Sequence, residues 1–417
     1  MHTGENSQRL MDLENRFGAR NYAPLEVVLS RGRGARVWDV EGKEYLDFLS
    51  AYSAVNQGHC HPRIIEALKT QAEHLTLTSR AFYNDQLGEF EKFVCETFAF
   101  DRMLPMNSGA EAVETAMKLA RRWGYDVKKI PENQAKIIVC EGNFHGRTLG
   151  IISASTDPAS RRGFGPYLPG FIVIPYDDLP ALEAALRDPT VAGFLVEPIQ
   201  GEAGVVVPGD GYLSRAFDLC QKARVLFIAD EVQTGLARTG RMFCCDHEGV
   251  KPDVLILGKA LSGGVMPVSA VLSSNEVMLT LKPGEHGSTF GGNPLACAVA
   301  RTAVQVLIDE DLAARADALG RVFREELRAL NSPIIETVRG KGLLNAAVIR
   351  PHGKKADGKA KTAYDLCHEF ADHGLLAKQT HVHTIRFAPP LVITEEELRR
   401  GLAIIKQVIG ASSENAG

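Results

Sequence analysis

The sequence has no long apolar stretch: no run approaches the roughly 18 residues needed to span a bilayer, which excludes a membrane helix. It has no excess of either charge. Its 47 lysines and arginines stand against 51 acids, leaving a net charge of −4 and no basic footprint for nucleic acid or anionic lipid. It has no paired-cysteine signature. Cys60, Cys95, Cys140, Cys220, Cys244, Cys245, Cys297 and Cys367 form no C-x-x-C, and adjacent Cys244 and Cys245 are awkwardly placed to bridge each other. Reduced, mostly inert thiols are expected, in a reducing compartment. The first twenty residues contain Glu5, Asp12 and Glu14 and no apolar core, unlike a secretory signal or an acid-poor transit peptide, so a cytoplasmic location is expected. No internal repeat is present.

At 417 residues with 45% hydrophobic and 24% charged residues, the chain reads as a globular protein of two domains. Its most informative stretch is Val225 to Gly264. The apolar run Val225 to Ala229 has the length of a strand buried on both faces, and Asp230 and Glu231 end it abruptly. A second such run, Val254 to Leu257, ends at Gly258 and Lys259. A carboxylate past one buried strand and a lysine past the next stand where open α/β sheets bind ligands. Burying either charge unpaired costs several kcal/mol. A group with a positive ring nitrogen at one end and an aldehyde at the other satisfies both. Pyridoxal phosphate is such a group, forming a Schiff base with a lysine and pairing its ring nitrogen with an acid.

Elsewhere, Ala35 to Asp39 and Tyr45 to Leu49 flank Glu41-Gly42-Lys43 as a hairpin. His59 and His61 lack a third ligand nearby and read as hydrogen-bonded loop residues rather than a metal pair. Ser108 with Glu111 fits a capping box, and the unpaired N–H groups of the helix beginning there favour a dianion. Lys136 to Cys140 and Gly193 to Pro198 are further buried strands, and the alternation of strands and helices through Ala300 argues for a mostly parallel sheet covered on both faces. From about Thr302 the chain turns to long helical runs and one strand-like stretch, Gly342 to Ile349. Its last helix opens with a Thr394/Glu397 capping box, and a small polar tail after Gly410 is expected to fray. Gly353 to Lys361 reads as a solvated basic loop.

The stretch Phe227-Ile228-Ala229-Asp230-Glu231-Val232-Gln233-Thr234-Gly235, followed by Leu257-Gly258-Lys259-Ala260, resembles the class III pyridoxal-phosphate-dependent aminotransferases. Asn56 to Pro62, Glu197 to Gly204, Gly284 to Pro294 and Arg386 to Pro390 are similar, more narrowly, to the ornithine-using branch of that family. The likeness runs from about Asn21 to about Ile409. It implies an α/β fold of the PLP-dependent transferase fold type I. Residues 53–300 would form the large domain and 301–417 the small one, joined by segment 1–52. It implies Lys259 as the Schiff-base lysine and acid/base, Asp230 on the ring nitrogen, Gln233 on the ring hydroxyl oxygen and Phe144 stacked on the ring. Gly109 and Ala110 would hold the phosphate, with Ser288 and Thr289 of a neighbouring subunit. A homodimer with shared sites, or a larger assembly of dimers, follows from that.

By the same resemblance Arg386 clamps the α-carboxylate of glutamate or 2-oxoglutarate, and Glu202 shields it while the diamino acid reacts. Arg147 would hold the far carboxylate, Tyr22 the ornithine α-amine, and Tyr52 would narrow the pocket. The implied reaction moves the δ-amino group of L-ornithine to 2-oxoglutarate. N-acetylornithine and 4-aminobutyrate are the rival donors, and a PLP enzyme of another reaction class or a non-enzymatic binding protein are the more distant readings.

Overall fold

A computed structural model describes residues 4–355 and 358–414. Its centre is a seven-stranded sheet in the order Arg102–Met106, Ser269–Ser273, Val254–Leu257, Leu226–Asp230, Val191–Val196, Lys136–Cys140, Phe171–Ile174. Every strand runs parallel to the rest except Ser269–Ser273, which is antiparallel to both neighbours. The strands read as unbroken apolar runs because both faces are covered and successive side chains alternate between them. Ile137, Val139, Leu195, Ile228 and Ile256 pack into one core cluster, and Ile138, Cys140, Phe194, Phe227 and Leu255 into the other.

Helix Gly109–Asp126 lies over the first of these faces, burying Ala112, Val113, Ala116, Leu119, Ala120 and Trp123. It approaches closely enough that a Cβ on Gly124 would meet that of Ala192 at 2.9 Å. The helix starts at the expected capping box: Ser108 accepts from the Glu111 amide and the Glu111 carboxylate accepts from that of Ser108.

Two smaller sheets complete the structure, and the first of them joins the chain's two ends. The expected hairpin forms between Arg36–Asp39 and Glu44–Asp47, and Leu375–Leu376 pairs parallel to the latter. Phe48, just beyond, packs on Phe323 of helix Leu312–Arg328, with ring centroids 6.2 Å apart. A four-stranded antiparallel sheet of Ile335–Lys341, Leu344–Ile349, Thr384–Phe387 and Lys378–Thr380 presents Arg386 toward the large sheet.

One expectation fails locally: the chain does not fray at Gly410, and helix Glu395–Glu414 continues past it. The Thr394/Glu397 box that opens this helix forms as read. Within the basic loop, Ala356 and Asp357 lie outside the described residues, while Lys355 and Lys361 ion-pair with Asp365 and Glu369. His59 and His61 do not face one another; they bond to Asp47 at 2.7 Å and Glu310 at 2.9 Å. Among the described residues no helix is long and apolar enough to cross a membrane.

Candidate active site

The carboxyl ends of the parallel strands deliver their next residues into one cavity of about 160 Å³. Arg102–Met106 leads to Gly109 and Ala110; Lys136–Cys140 to Phe144, His145 and Gly146; Val191–Val196 to Glu197 and Ile199. Leu226–Asp230 supplies Asp230, Val232 and Gln233, and Val254–Leu257 supplies Lys259. Asp230 and Lys259 therefore open onto the same space.

One wall is acidic and buried. Asp230 is 5% exposed, and its Oδ2 lies 2.7 Å from His145 Nδ1. Glu197 stands behind it and accepts from the Phe144 amide through Oε1, while its Oε2 and the Nε2 of His145 have no protein partner. Burial, then the charge of Asp230, pushes the Glu197 carboxyl well above its ordinary range. The same burial and the neighbouring Asp230 disfavour a second negative charge on this wall. Val232 N–H donates to Asp230 Oδ1 at 3.1 Å, fixing the carboxylate from the other side.

Opposite stands Lys259, its backbone in the left-handed region at φ 41°. Burial, and then the charge of Arg386, lowers its ammonium pKa, so a larger fraction is free amine than for a surface lysine. The preceding Gly258 lies against Gly109: a Cβ on Gly258 would sit 3.5 Å from the Gly109 Cα and 3.3 Å from Val232. The absence of side chains at both positions brings the capped helix start beside the lysine.

His145, Glu197 and Asp230 have ligand atoms within 4.8 Å of one another, a grouping that would also suit a cation. The other features fit pyridoxal phosphate better. A buried carboxylate facing the pocket suits a protonated ring nitrogen, a buried lysine with a lowered pKa suits an aldehyde, and the open helix start suits a phosphate.

Next to this cavity lies a buried guanidinium. Arg386 is 2% exposed and donates to Gln233 Oε1 at 2.5 Å and Ser53 Oγ at 3.2 Å, with Glu202 Oε1 at 3.6 Å. Its Nε has no partner. The Tyr52 ring centroid is 5.6 Å from the guanidinium carbon, and burial raises the Tyr52 pKa and keeps the phenol neutral. Glu202, 30% exposed at its side chain, also accepts from Gln233 Nε2 at 3.2 Å, and its carbonyl accepts from Thr380 at 2.6 Å. Tyr52 and Ser53 are carried on four consecutive left-handed residues, Ser50 to Ser53. That conformation costs L-residues roughly 1–2 kcal/mol each.

Comparison with known proteins places this architecture. Residues 17–409 match the family described as Aminotransferase class-III. The chain belongs to the class III aminotransferases. The mitochondrial ornithine aminotransferase of Rattus norvegicus is 59% identical over 97% of this chain and 90% of its own. A crystal structure of the ornithine aminotransferase from Toxoplasma gondii, described as having partial occupancy of PLP at its active site, superposes with a TM-score of 0.95. It is 51% identical over 98% of this chain and 95% of its own. A structure of the acetylornithine aminotransferase of Elizabethkingia anophelis superposes with a TM-score of 0.88 and is 56% identical over 98% of this chain and 100% of its own.

In this aminotransferase six sequence-derived positions share the cavity: Gly109, Ala110, Phe144, Asp230, Gln233 and Lys259. Tyr52, Glu202 and Arg386 gather beside it. The remaining four lie outside. Arg147 is exposed at the mouth with its guanidinium 5.4 Å from the Phe144 ring centroid. Tyr22 is 76% exposed in an N-terminal groove, close enough to influence Tyr52 electrostatically. Ser288 accepts from Asn107 Nδ2 at 2.8 Å, and Thr289 is exposed. Three further polar residues at the site, His145, Glu197 and Ser53, are not singled out by the sequence. Glu197 opens one of the quoted motifs, whereas His145 and Ser53 fall in none, and the partners of His145, Glu197 and Ser53 lie 85, 53 and 333 residues away in the chain.

Proposed function

We propose that this aminotransferase uses pyridoxal phosphate to transfer the δ-amino group of L-ornithine to 2-oxoglutarate. The products are L-glutamate and glutamate 5-semialdehyde, which cyclises to pyrroline-5-carboxylate. The observation that carries this reading is Arg386, a buried carboxylate clamp covered by a carboxylate of its own, Glu202. An enzyme that alternates a dicarboxylic substrate with a diamino acid entering by its distal amine needs such a clamp, exposed in one half-reaction and hidden in the other.

Bound pyridoxal phosphate supplies an electron sink for the carbanion formed beside the substrate nitrogen. Asp230, oriented by His145 and the Val232 amide, keeps the ring nitrogen protonated. Phe144 would lie against the ring, Gln233 would hold its hydroxyl oxygen, and Gly109 and Ala110 would receive the phosphate at the helix start. Lys259 would hold the aldehyde end of the group, and its amine is placed to carry the proton that transamination must move.

Glu202 swings off Arg386 when glutamate or 2-oxoglutarate binds. Arg147 holds the far carboxylate of either substrate, Tyr22 the α-amine of ornithine, and Tyr52 limits the width available to the donor. Ser288 and Thr289, which do not line their own cavity, complete the phosphate site of a second copy in a homodimer. Residues 53–300 then form the large domain, and 1–52 with 301–417 the small one. Eight unpaired cysteines support a reducing compartment, for which we propose the cytoplasm.

N-acetylornithine is the second reading, favoured by the likeness to the Elizabethkingia anophelis structure. The acetyl group removes the α-ammonium charge and widens the donor. Steady-state rates with ornithine, N-acetylornithine and 4-aminobutyrate against 2-oxoglutarate separate the readings. The highest kcat/KM is expected for ornithine, and a preference for either rival overturns the assignment.

A further inference from the structure

We infer that the left-handed turn Ser50–Ser53 is a positioning device that decides which end of a diamino acid donor reaches Lys259, and that Asp47, His59 and Arg238 act through it. The inference rests on the proposed ornithine reading for its substrate, and on the geometry of the turn for everything else.

Four successive non-glycine residues have φ of 56°, 44°, 57° and 75°. L-residues visit this region singly and do not hold it as a run by themselves, so the turn must be held from outside. Two buried anchors do so. At its entrance Asp47 Oδ1 accepts from the amides of Leu49 at 2.8 Å and Ser50 at 2.9 Å, while Oδ2 lies 2.7 Å from His59 Nε2. On its flank Arg238, wholly buried, donates to Ser50 Oγ at 3.1 Å. The same guanidinium donates to the Pro389 carbonyl at 2.6 Å, just past the strand that carries Arg386. One side chain therefore ties the turn to the backbone bearing the carboxylate clamp.

What the turn presents is Ser53 Oγ, 3.2 Å from Arg386, and the ring of Tyr52 over its guanidinium. Asp47, His59 and Arg238 do not line the cavity, so they are positioning residues rather than catalytic ones. Arg386 thus has two covers of different kinds: Glu202, a partly exposed carboxylate able to leave, and a fixed wall of Tyr52 and Ser53. If the wall slackens, Arg386 opens on a side Glu202 does not guard. It then takes the α-carboxylate of ornithine and turns the α-amine, instead of the δ-amine, toward Lys259.

The test is the ratio of α- to δ-transamination of ornithine. The δ product cyclises to pyrroline-5-carboxylate and the α product is 5-amino-2-oxopentanoate. As a ratio within one reaction, it does not depend on how much protein is folded. Asp47→Ala is expected to raise it about tenfold, and Asp47→Asn, which keeps the acceptor oxygen, to stay within about twofold of wild type. Ser50→Ala, which removes only the contact from Arg238, is expected to shift it in the same direction and serves if Asp47→Ala does not fold. Ala51 is exposed and does not line the cavity; Ala51→Gly relieves the strain and should raise the thermal midpoint of the apoenzyme without changing the ratio. An unchanged ratio in active Asp47→Ala or Ser50→Ala overturns the inference, as does a lower midpoint in Ala51→Gly. Wild-type protein that does not transaminate ornithine at all overturns the donor assignment and with it the role in donor choice; the midpoint of Ala51→Gly then still reports whether the turn is strained and held.

Discussion

Asp230 and Lys259 are poor residues for a protein interior unless something lies between them, and that mismatch made them legible in the sequence. Each ends an apolar run abruptly, so the chain itself announces a charge delivered into a buried space. Replacing Asp230 with alanine removes one partner of a buried charge pair, a loss of about 3–5 kcal/mol. Turnover is expected to fall about 10²- to 10⁴-fold with the far-UV circular dichroism unchanged; retained turnover would remove Asp230 from the mechanism. His145 and Glu197 were not legible in the same way, because a histidine or glutamate in a turn gains its meaning only from the residue it meets across the sheet. Glu231 makes a separate prediction. Burial pushes its carboxyl from 4.5 up to about 7, despite hydrogen bonds from Thr234 and the Cys245 amide. Since the folded pKa is the higher one, the stability it contributes is fully present below pH 4.5 and is lost as pH rises through about 7. Glu231→Gln cannot ionise and should lose about 2.5 kcal/mol less than wild type between pH 5 and pH 8 in urea unfolding. Equal losses in the two proteins would show that Glu231 titrates normally.

At the scale of elements, what could be read from sequence was what repeats locally. Buried strands, the Ser108/Glu111 and Thr394/Glu397 capping boxes and the 36–47 hairpin are all written within a few residues of themselves. The turn at Ser50–Ser53 is not, since serine, alanine and tyrosine carry no preference for left-handed backbone and only Asp47, His59 and Arg238 impose it. The continuation of the last helix beyond Gly410 escaped for a related reason: burial of Ser412 decides it, and composition suggested fraying. The helix cap offers its own test. Ser108→Ala leaves the Glu111 amide without its side-chain acceptor and should cost about 1 kcal/mol of stability in apoenzyme unfolding. The same change should weaken pyridoxal phosphate binding, read by equilibrium titration, because the helix start is the proposed phosphate seat; undiminished affinity would put the phosphate elsewhere.

For the molecule as a whole, the parallel sheet was evident from alternating strands and helices, whereas the joining of the two chain ends was implied only by resemblance. Leu46 pairing with Leu375, and Phe48 packing on Phe323, are contacts between residues hundreds of positions apart, which no local pattern encodes. Ser288 and Thr289 lie outside the cavity of their own chain, so activity should require two copies. Dilution followed by size-exclusion chromatography and assay is expected to show activity only in the dimer fraction, and an active monomer would contradict the shared site. The central claim is that one pyridoxal phosphate is held between Lys259 and Asp230. Borohydride reduction of the holoenzyme followed by peptide mapping tests it most directly: a phosphopyridoxyl group is predicted on Lys259, and its appearance on another lysine, or on none, would contradict the account.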